Sequence, residues 1–307
     1  MWKGVAKQII KKPFHLFGLD LVHRHPPESD PEPELPPLFD HPFEALCSQQ
    51  GGGSAAFRCP LKYTVTRNAL SFSPDGWHPF VAALCEYAVG ESTEYEDSVL
   101  RRYYEAHQPD HAGAAVVGFE QFPETYTNHP PHIYRLTPWS SGTADTVDQN
   151  VRDWTQHDDQ KYGDSGREWK LSSDGFQYHG PVSPQKGQLE YRRLVNVYES
   201  IKAGGYNRSQ GHAHFLVLRR GKEYRFLNKG QGNHRTAAMT ALGYDTIPAK
   251  FYNRYVLDLE MAEYWPQVRR GVWKKEQAEA YFNHLFDFDS RAWAEERGLL
   301  RKQQYAD

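Results

Sequence analysis

The stretch from Phe226 to Phe251, FLNKGQGNHRTAAMTALGYDTIPAKF, admits few folds. Glu223 to Leu227 alternates aromatic or apolar residues with polar ones, the signature of a strand end. Gly230 and Gly232 punctuate a tight turn, where φ > 0 or close backbone approach is expected. Thr236 to Leu242 has the Ala, Met and Leu content of a helix, with Gly243 as its C-terminal stop. Thr246 to Tyr252 then reads as a strand, with Pro248 tolerable at its edge. A strand, a glycine turn and a helix start make an anion site, because the first helical turn leaves N–H groups free and its dipole favours negative charge. Gly230, Gly232, Asn233, His234, Arg235 and Thr236 therefore form the candidate binding loop, with Lys229 as a point charge beside it. Arg235 supplies a planar fork suited to phosphate, and His234 a donor or an acid/base. The plainer alternative is a surface turn whose arginine caps a neighbour.

Upstream, Leu194 to Tyr206 reads as a helix stopped by Gly204-Gly205, followed by a strand from His214 to Arg219. In this order of elements, Gly232-Asn233-His234-Arg235-Thr236-Ala237-Ala238 resembles the G-x-x-R-x-x-A box of the ParB/sulfiredoxin superfamily. The likeness spans Gly187 to Tyr252 and implies an α+β fold: a small mixed sheet with helices, elaborated by a largely helical N-terminal region and C-terminal helices. It also implies nucleotide phosphates on the turn. Members include sulfinic-acid reductases, CTP-dependent partition proteins and free-serine kinases. Sulfiredoxins carry a nucleophilic cysteine where this chain has Asn233, which argues against sulfinic-acid reduction. Partition proteins continue into a helix-turn-helix region, whereas this tail is aromatic-rich. The Gly-x-His-Arg run is similar to that of the serine kinases, but Gln231 stands where they place an Asp. Those kinases also have a Glu ahead of the helix before the phosphate strand. By that similarity Glu190, just before a helix expected from Tyr191 to Ala203, is a candidate base for a substrate hydroxyl. A helix N-terminal Glu that complements the dipole is the equal alternative.

The formal charge of −3 creates no basic field to draw the chain onto nucleic acid. The three cysteines, Cys47, Cys59 and Cys85, form no C-x-x-C pair, so neither a zinc site nor a disulfide framework is indicated, and a reducing cytosol is the simplest compartment. Residues 1–25 are basic and amphipathic and read either as a helix packed on the body or as peripheral contact with an anionic inner membrane face. Residues 26–45 are a Pro-rich acidic linker. Residues 46–174 read as a mostly helical elaboration, 175–255 as the ParB/sulfiredoxin-like core and 256–307 as C-terminal helices. Ser140 to Ser165 is polar and reads as mobile or helical in part. The histidines His78, His107, His111, His129 and His132 are scattered, and His212 and His214 share one strand face without a third ligand, so no metal set is expected.

The leading expectation is a nucleotide-dependent phosphotransferase acting on a hydroxyl of a small metabolite or a surface-glycan sugar. ATP or another nucleotide would sit on the turn, with Mg²⁺ neutralising its phosphates, since phosphoryl transfer is chiefly positioning and charge stabilisation. Glu190 and His234 are its expected catalytic residues. The alternatives are a weakly active nucleotide-binding switch or scaffold, favoured by Gln231, and a ParB-like DNA-associated protein, disfavoured by the charge balance.

Overall fold

In the computed structural model, which describes residues 35–48, 55–163 and 166–300, one mixed sheet collects strands from both halves of the chain. Its strands are β1 (Leu38–Phe39), β2 (Ala56–Pro60), β3 (Thr64–Val65), β4 (Ala213–Arg220), β5 (Glu223–Asn228) and β6 (Thr246–Asp258), in the order β1-β2-β6-β4-β5-β3. The hairpin β4–β5 is antiparallel, with Arg220 opposite Glu223, and Gly221 at φ +58° opens its two-residue turn. β6 runs parallel to β4 and antiparallel to β2, while β3 runs parallel to β5. Pro248 lies one residue before the β4 ladder begins at Ala249, so its missing N–H removes no rung on that side.

Around the sheet the chain forms α1 (Pro42–Ser48), α2 (Pro79–Ala88), α3 (Val99–Ala106), α4 (Ala144–Tyr162), α5 (Leu171–Asp174), α6 (Pro184–Gly204), α7 (Asn233–Ala241), α8 (Pro266–Arg269), α9 (Lys275–Asp287) and α10 (Ser290–Glu296). The fold is thus α+β with a mixed sheet, as expected. The stretch before Gly175 departs from expectation. It is helical in part, but β2 and β3 join the same sheet as the later strands, and the described residues from Pro36 onward form one unit. The basic segment 1–25 and the first part of the linker, residues 26–34, lie outside the described residues. Among those described, no helix is long and apolar enough to cross a membrane.

Three boundary differences matter for the site. α6 begins at Pro184, its first turn capped by the Ser183 hydroxyl, so Glu190 lies inside the helix rather than before it. That removes the helix-dipole explanation for Glu190. α7 begins at Asn233, a turn earlier than its Ala-rich run suggests. The polar stretch after Ser140 is a 19-residue helix, α4, capped by Thr143. Its buried face is narrow, with Val151, Thr155 and Asp159, which is why hydropathy alone underreads it. The core is aromatic-rich: Phe57 stacks on Phe251 at 4.2 Å, and Trp139, Trp265, Trp273, Tyr281 and Phe282 pack together.

Candidate functional site

The site grows from the turn between β5 and α7. Asn228 at the end of β5 accepts the Gly230 N–H through its side-chain oxygen at 2.7 Å, which folds the chain back on itself. Gly232 is the N-cap of α7 with φ +86°. A β-carbon there would meet the Ala213 α-carbon at 2.7 Å, so both the backbone conformation and the close approach to β4 require glycine. Because Gly232 offers no side-chain cap, the first turn of α7 stays open. The N–H groups of Gln231, Gly232, Asn233, His234 and Arg235 meet no protein acceptor among the described residues, while Thr236 N–H closes onto Gly232. A run of free N–H groups at a helix start is an anion cradle.

This turn separates two cavities. The first, about 520 Å³, is lined by the turn from Gly230 to Arg235 and by Trp154, Asp158 and Tyr162 of α4, Tyr178, and Arg193 of α6. The second, about 650 Å³, is lined by Arg67, Arg135, Trp139, Lys229 and Tyr252, and shares Trp154, Gly230 and Gln231 with the first.

His234 faces the first cavity, its ring stacked on Phe80 at 5.1 Å and 16°. Its Nε2 lies 3.0 Å from the Glu190 carboxylate. Glu190 is fully buried and also meets Lys186 and Arg193, each at 3.0 Å. Burial alone would raise its pKa, but Lys186, Arg193 and His234 outweigh burial and hold the carboxyl well below its usual range. Lys186, itself fully buried, pairs with Asp159 as well, and Arg193 reaches Asp158 at 2.7 Å. Burial raises the Asp159 carboxyl despite Lys186. His78, behind Phe80, is pushed down to about 3 by burial and then by His234, so it stays neutral.

Several expectations change here. Glu190 does not reach the cavity as a base. It is enclosed, and all its partners are protein cations or the His234 ring. Thr236 is not a phosphate ligand: it is fully buried, and its hydroxyl donates to Gly232 O at 2.9 Å. Arg235 lines the cavity, but its guanidinium donates to the carbonyls of Gln210 at 3.2 Å, Gly211 at 2.5 Å and His212 at 3.3 Å. It clamps the loop before β4. Asn233 is buried, donating to the Tyr178 hydroxyl at 2.5 Å, and contributes its main chain to the cradle. Lys229 faces the second cavity, with its ammonium 4.8 Å over the Tyr252 ring. Gly230 joins the two cavities.

Residues that no local sequence pattern marks complete the walls. Trp154 and Tyr178 stack at 6.0 Å and 13°, and the Arg135 guanidinium lies over both rings at 5.6 and 5.7 Å. Arg67 sits 8% exposed behind the second cavity. Nothing in the local sequence around Arg67, Arg135 or Trp154 marks them, because each meets the turn from far along the chain. Lys186, Glu190 and Arg193 were readable as one helix face by their i, i+4 and i+3 spacing.

As to Mg²⁺, no cluster of three His, Cys, Asp or Glu side chains that could hold a metal occurs among the described residues. Asp158 is the carboxylate lining the first cavity, and Arg193 already holds it. The cations beside the turn are protein side chains.

Comparison with protein-family models, curated proteins and solved structures gave no match.

Proposed function

We propose that this chain is a phosphotransferase that takes a nucleotide on the Gly230–Arg235 turn and passes a phosphoryl group to a hydroxyl, with His234 as the acid/base. One observation carries this reading: an imidazole, oriented by a fully buried carboxylate, stands at an uncapped helix start that faces a cavity. The free N–H groups suit phosphate oxygens. The Trp154–Tyr178 stack offers a flat wall for a base.

The roles divide as follows. His234 accepts the proton of the attacking hydroxyl. Glu190 fixes the ring and stabilises the imidazolium that forms, without taking the proton itself. The surrounding charges favour this. Asp158, Asp159 and Glu190 oppose two permanent cations, Lys186 and Arg193, so positive charge arriving on His234 completes the balance. Arg235 holds the loop in place by its carbonyl contacts and is a positioning residue.

The second reading, a nucleotide-dependent switch or scaffold, is favoured by Gln231 and by the engagement of Asp158 with Arg193, which leave no free acid at the turn. Thermal shift with ATP, ADP and CTP, with and without Mg²⁺, followed by transfer from γ-labelled ATP to a panel of hydroxyl acceptors, separates the two. The enzyme reading expects a nucleotide shift and labelled product, with His234→Gln losing about 10²-fold or more of turnover. A nucleotide shift with no transfer to any acceptor leaves the switch. No shift with any nucleotide refutes both.

A further inference from the structure

The second cavity carries three cations on its lining and no carboxylate. Arg67, Arg135 and Lys229 meet at its floor, and no Asp or Glu lines it or pairs with any of the three among the described residues. Arg67 is nine-tenths buried with its Nε unpartnered, and the Trp139 indole N–H is buried without an acceptor too. A buried guanidinium without a counter-charge is strongly unfavourable, so its retention points to a partner that arrives from outside. The loop that carries Arg67 is itself held against preference: Ala69, two residues on, has φ +67°, which a non-glycine residue rarely adopts. The remaining walls include aromatic rings and neutral polar groups, Trp139, Trp154 and Tyr252 with Ser141 and Asn150, beside the aliphatic Val147 and Val151. Rings that pack on C–H faces, beside hydroxyl and amide groups, suit a polyol.

We propose that this cavity binds the anionic group of the acceptor, a sugar-like polyol bearing one carboxylate or phosphate, and so presents its hydroxyl across Gly230–Gln231 to His234. The acceptor role rests on the phosphotransferase reading of the neighbouring cavity; the anion site does not. Arg67 and Arg135 supply fixed charge and Lys229 a titrating one. Burial, then Arg67 and Arg135, push the Lys229 ammonium down to about 6. An anion placed among the three reverses that, so binding takes up a proton and tightens as pH falls toward 6.

The test is calorimetry on the full chain with D-glucuronate, D-glucose 6-phosphate and uncharged D-glucose, in wild type, Lys229→Met and Arg67→Gln. Lys229→Met removes an unpaired, half-buried cation and keeps the fold, so it covers the case in which the Arg67 variant does not. The expected result is binding of at least one anionic sugar and not of glucose. Lys229→Met should weaken it about tenfold or more. Glucuronate, whose carboxylate does not titrate above pH 5, should bind up to about tenfold more weakly per pH unit above 6 in wild type, and with little pH dependence in Lys229→Met. Anionic sugars binding no better than glucose, or binding the variants as they bind wild type, overturns the proposal. So does loss of ATP binding in Lys229→Met with sugar binding intact, since the cavity would then hold nucleotide phosphates. Lysine-dependent sugar binding without any nucleotide binding instead keeps the anion site and removes the phosphotransferase reading.

Discussion

Lys186→Met probes the buried network that orients His234. Lys186 is fully buried between Asp159 and Glu190, two equally buried carboxylates. Methionine nearly matches its length and is apolar, so packing changes little and the effect is electrostatic. Glu190 keeps Arg193 and His234, but Asp159 loses its one hydrogen-bonded cation; its other oxygen has no partner at all. Breaking a buried pair from one side costs about 3–5 kcal/mol. With an unfolding entropy near 0.6 kcal/mol/K for a chain of this size, that is a fall in Tm of about 5–8 °C. The pH dependence gives a second readout. Asp159 is already raised by burial, and without Lys186 it rises further. A carboxyl whose folded pKa exceeds its unfolded value near 3.9 binds protons preferentially in the folded state, so stability falls as pH rises. The deficit of the variant should therefore be small near pH 4 and grow, by up to about 1.4 kcal/mol per unit, until the raised pKa is passed. Adding Asp159→Asn should recover more than half of the loss at pH 7. Denaturant melts at pH 4 to 8 measure all three quantities. A single variant as stable as wild type, or a double variant no better than the single, would falsify the claim that these charges hold one another.

Four further outcomes follow from the same contacts. Gly232→Ala strains φ +86° and drives its β-carbon into Ala213, so it should cost about 1–3 kcal/mol in denaturant melts and abolish the nucleotide thermal shift. Glu190→Gln leaves Lys186 with Asp159 and Arg193 with Asp158, so the fold should persist; turnover should drop about 10²-fold or more while nucleotide affinity holds, and affinity lost in step with turnover would make Glu190 a packing residue only. Lys229→Met should raise Tm, because a folded pKa of about 6 against about 10.4 unfolded means that the wild-type ammonium opposes folding increasingly as pH falls from 10 to 6; the gain should be largest at pH 6 and vanish near pH 10, and a uniform gain would point to packing instead. Wild type should lose stability in acid as Glu190, held below its unfolded value near 4.3, is protonated; an acid midpoint unchanged in Glu190→Gln counts against that assignment.

The parts of the site that one contiguous stretch builds were legible. Strand, glycine turn, helix and strand follow one another from Glu223 to Tyr252 because local propensity and turn chemistry dictate them, and the structure places β5, α7 and β6 there. The helix starts a turn before the Ala-rich run, because Asn233 and His234 have weak helix propensity and Gly232 sets the cap. Long-range partners were not legible. Phe57 to Phe72 reads as short strands, but nothing in it says that Ala56 to Pro60 pairs with Thr246 to Lys250. Arg67 looks like any loop arginine, and only the fold brings it under Lys229, more than 160 positions later. α4 was underread because most of its faces meet water, yet its inner face supplies Trp154, Asp158 and Asp159.

The two cavities share a wall for an electrostatic reason. In the first, the acids Glu190, Asp159 and Asp158 are met by Lys186 and Arg193, and in the proposed reaction the proton that His234 accepts adds the positive charge that Glu190 faces. In the second, three cations stand without a carboxylate among the described residues, which an anion from solution would offset. Gly230 and Gln231 are the thin partition between them, and a β-carbon on Gly230 would already lie 3.4 Å from the Arg135 guanidinium. A ligand whose negative group satisfies the second cavity and whose hydroxyl reaches the first would relieve both at once. The two relaxations are coupled through one short segment, so a bulkier Gly230 should uncouple them. Gly230→Ala, at φ +103°, is expected to weaken anionic-sugar binding and turnover together while leaving the His234–Glu190 contact in place. The pH profile of the residual activity tests this: an unchanged profile with lowered turnover supports the partition, and an altered profile shows that the variant has disturbed the imidazole instead.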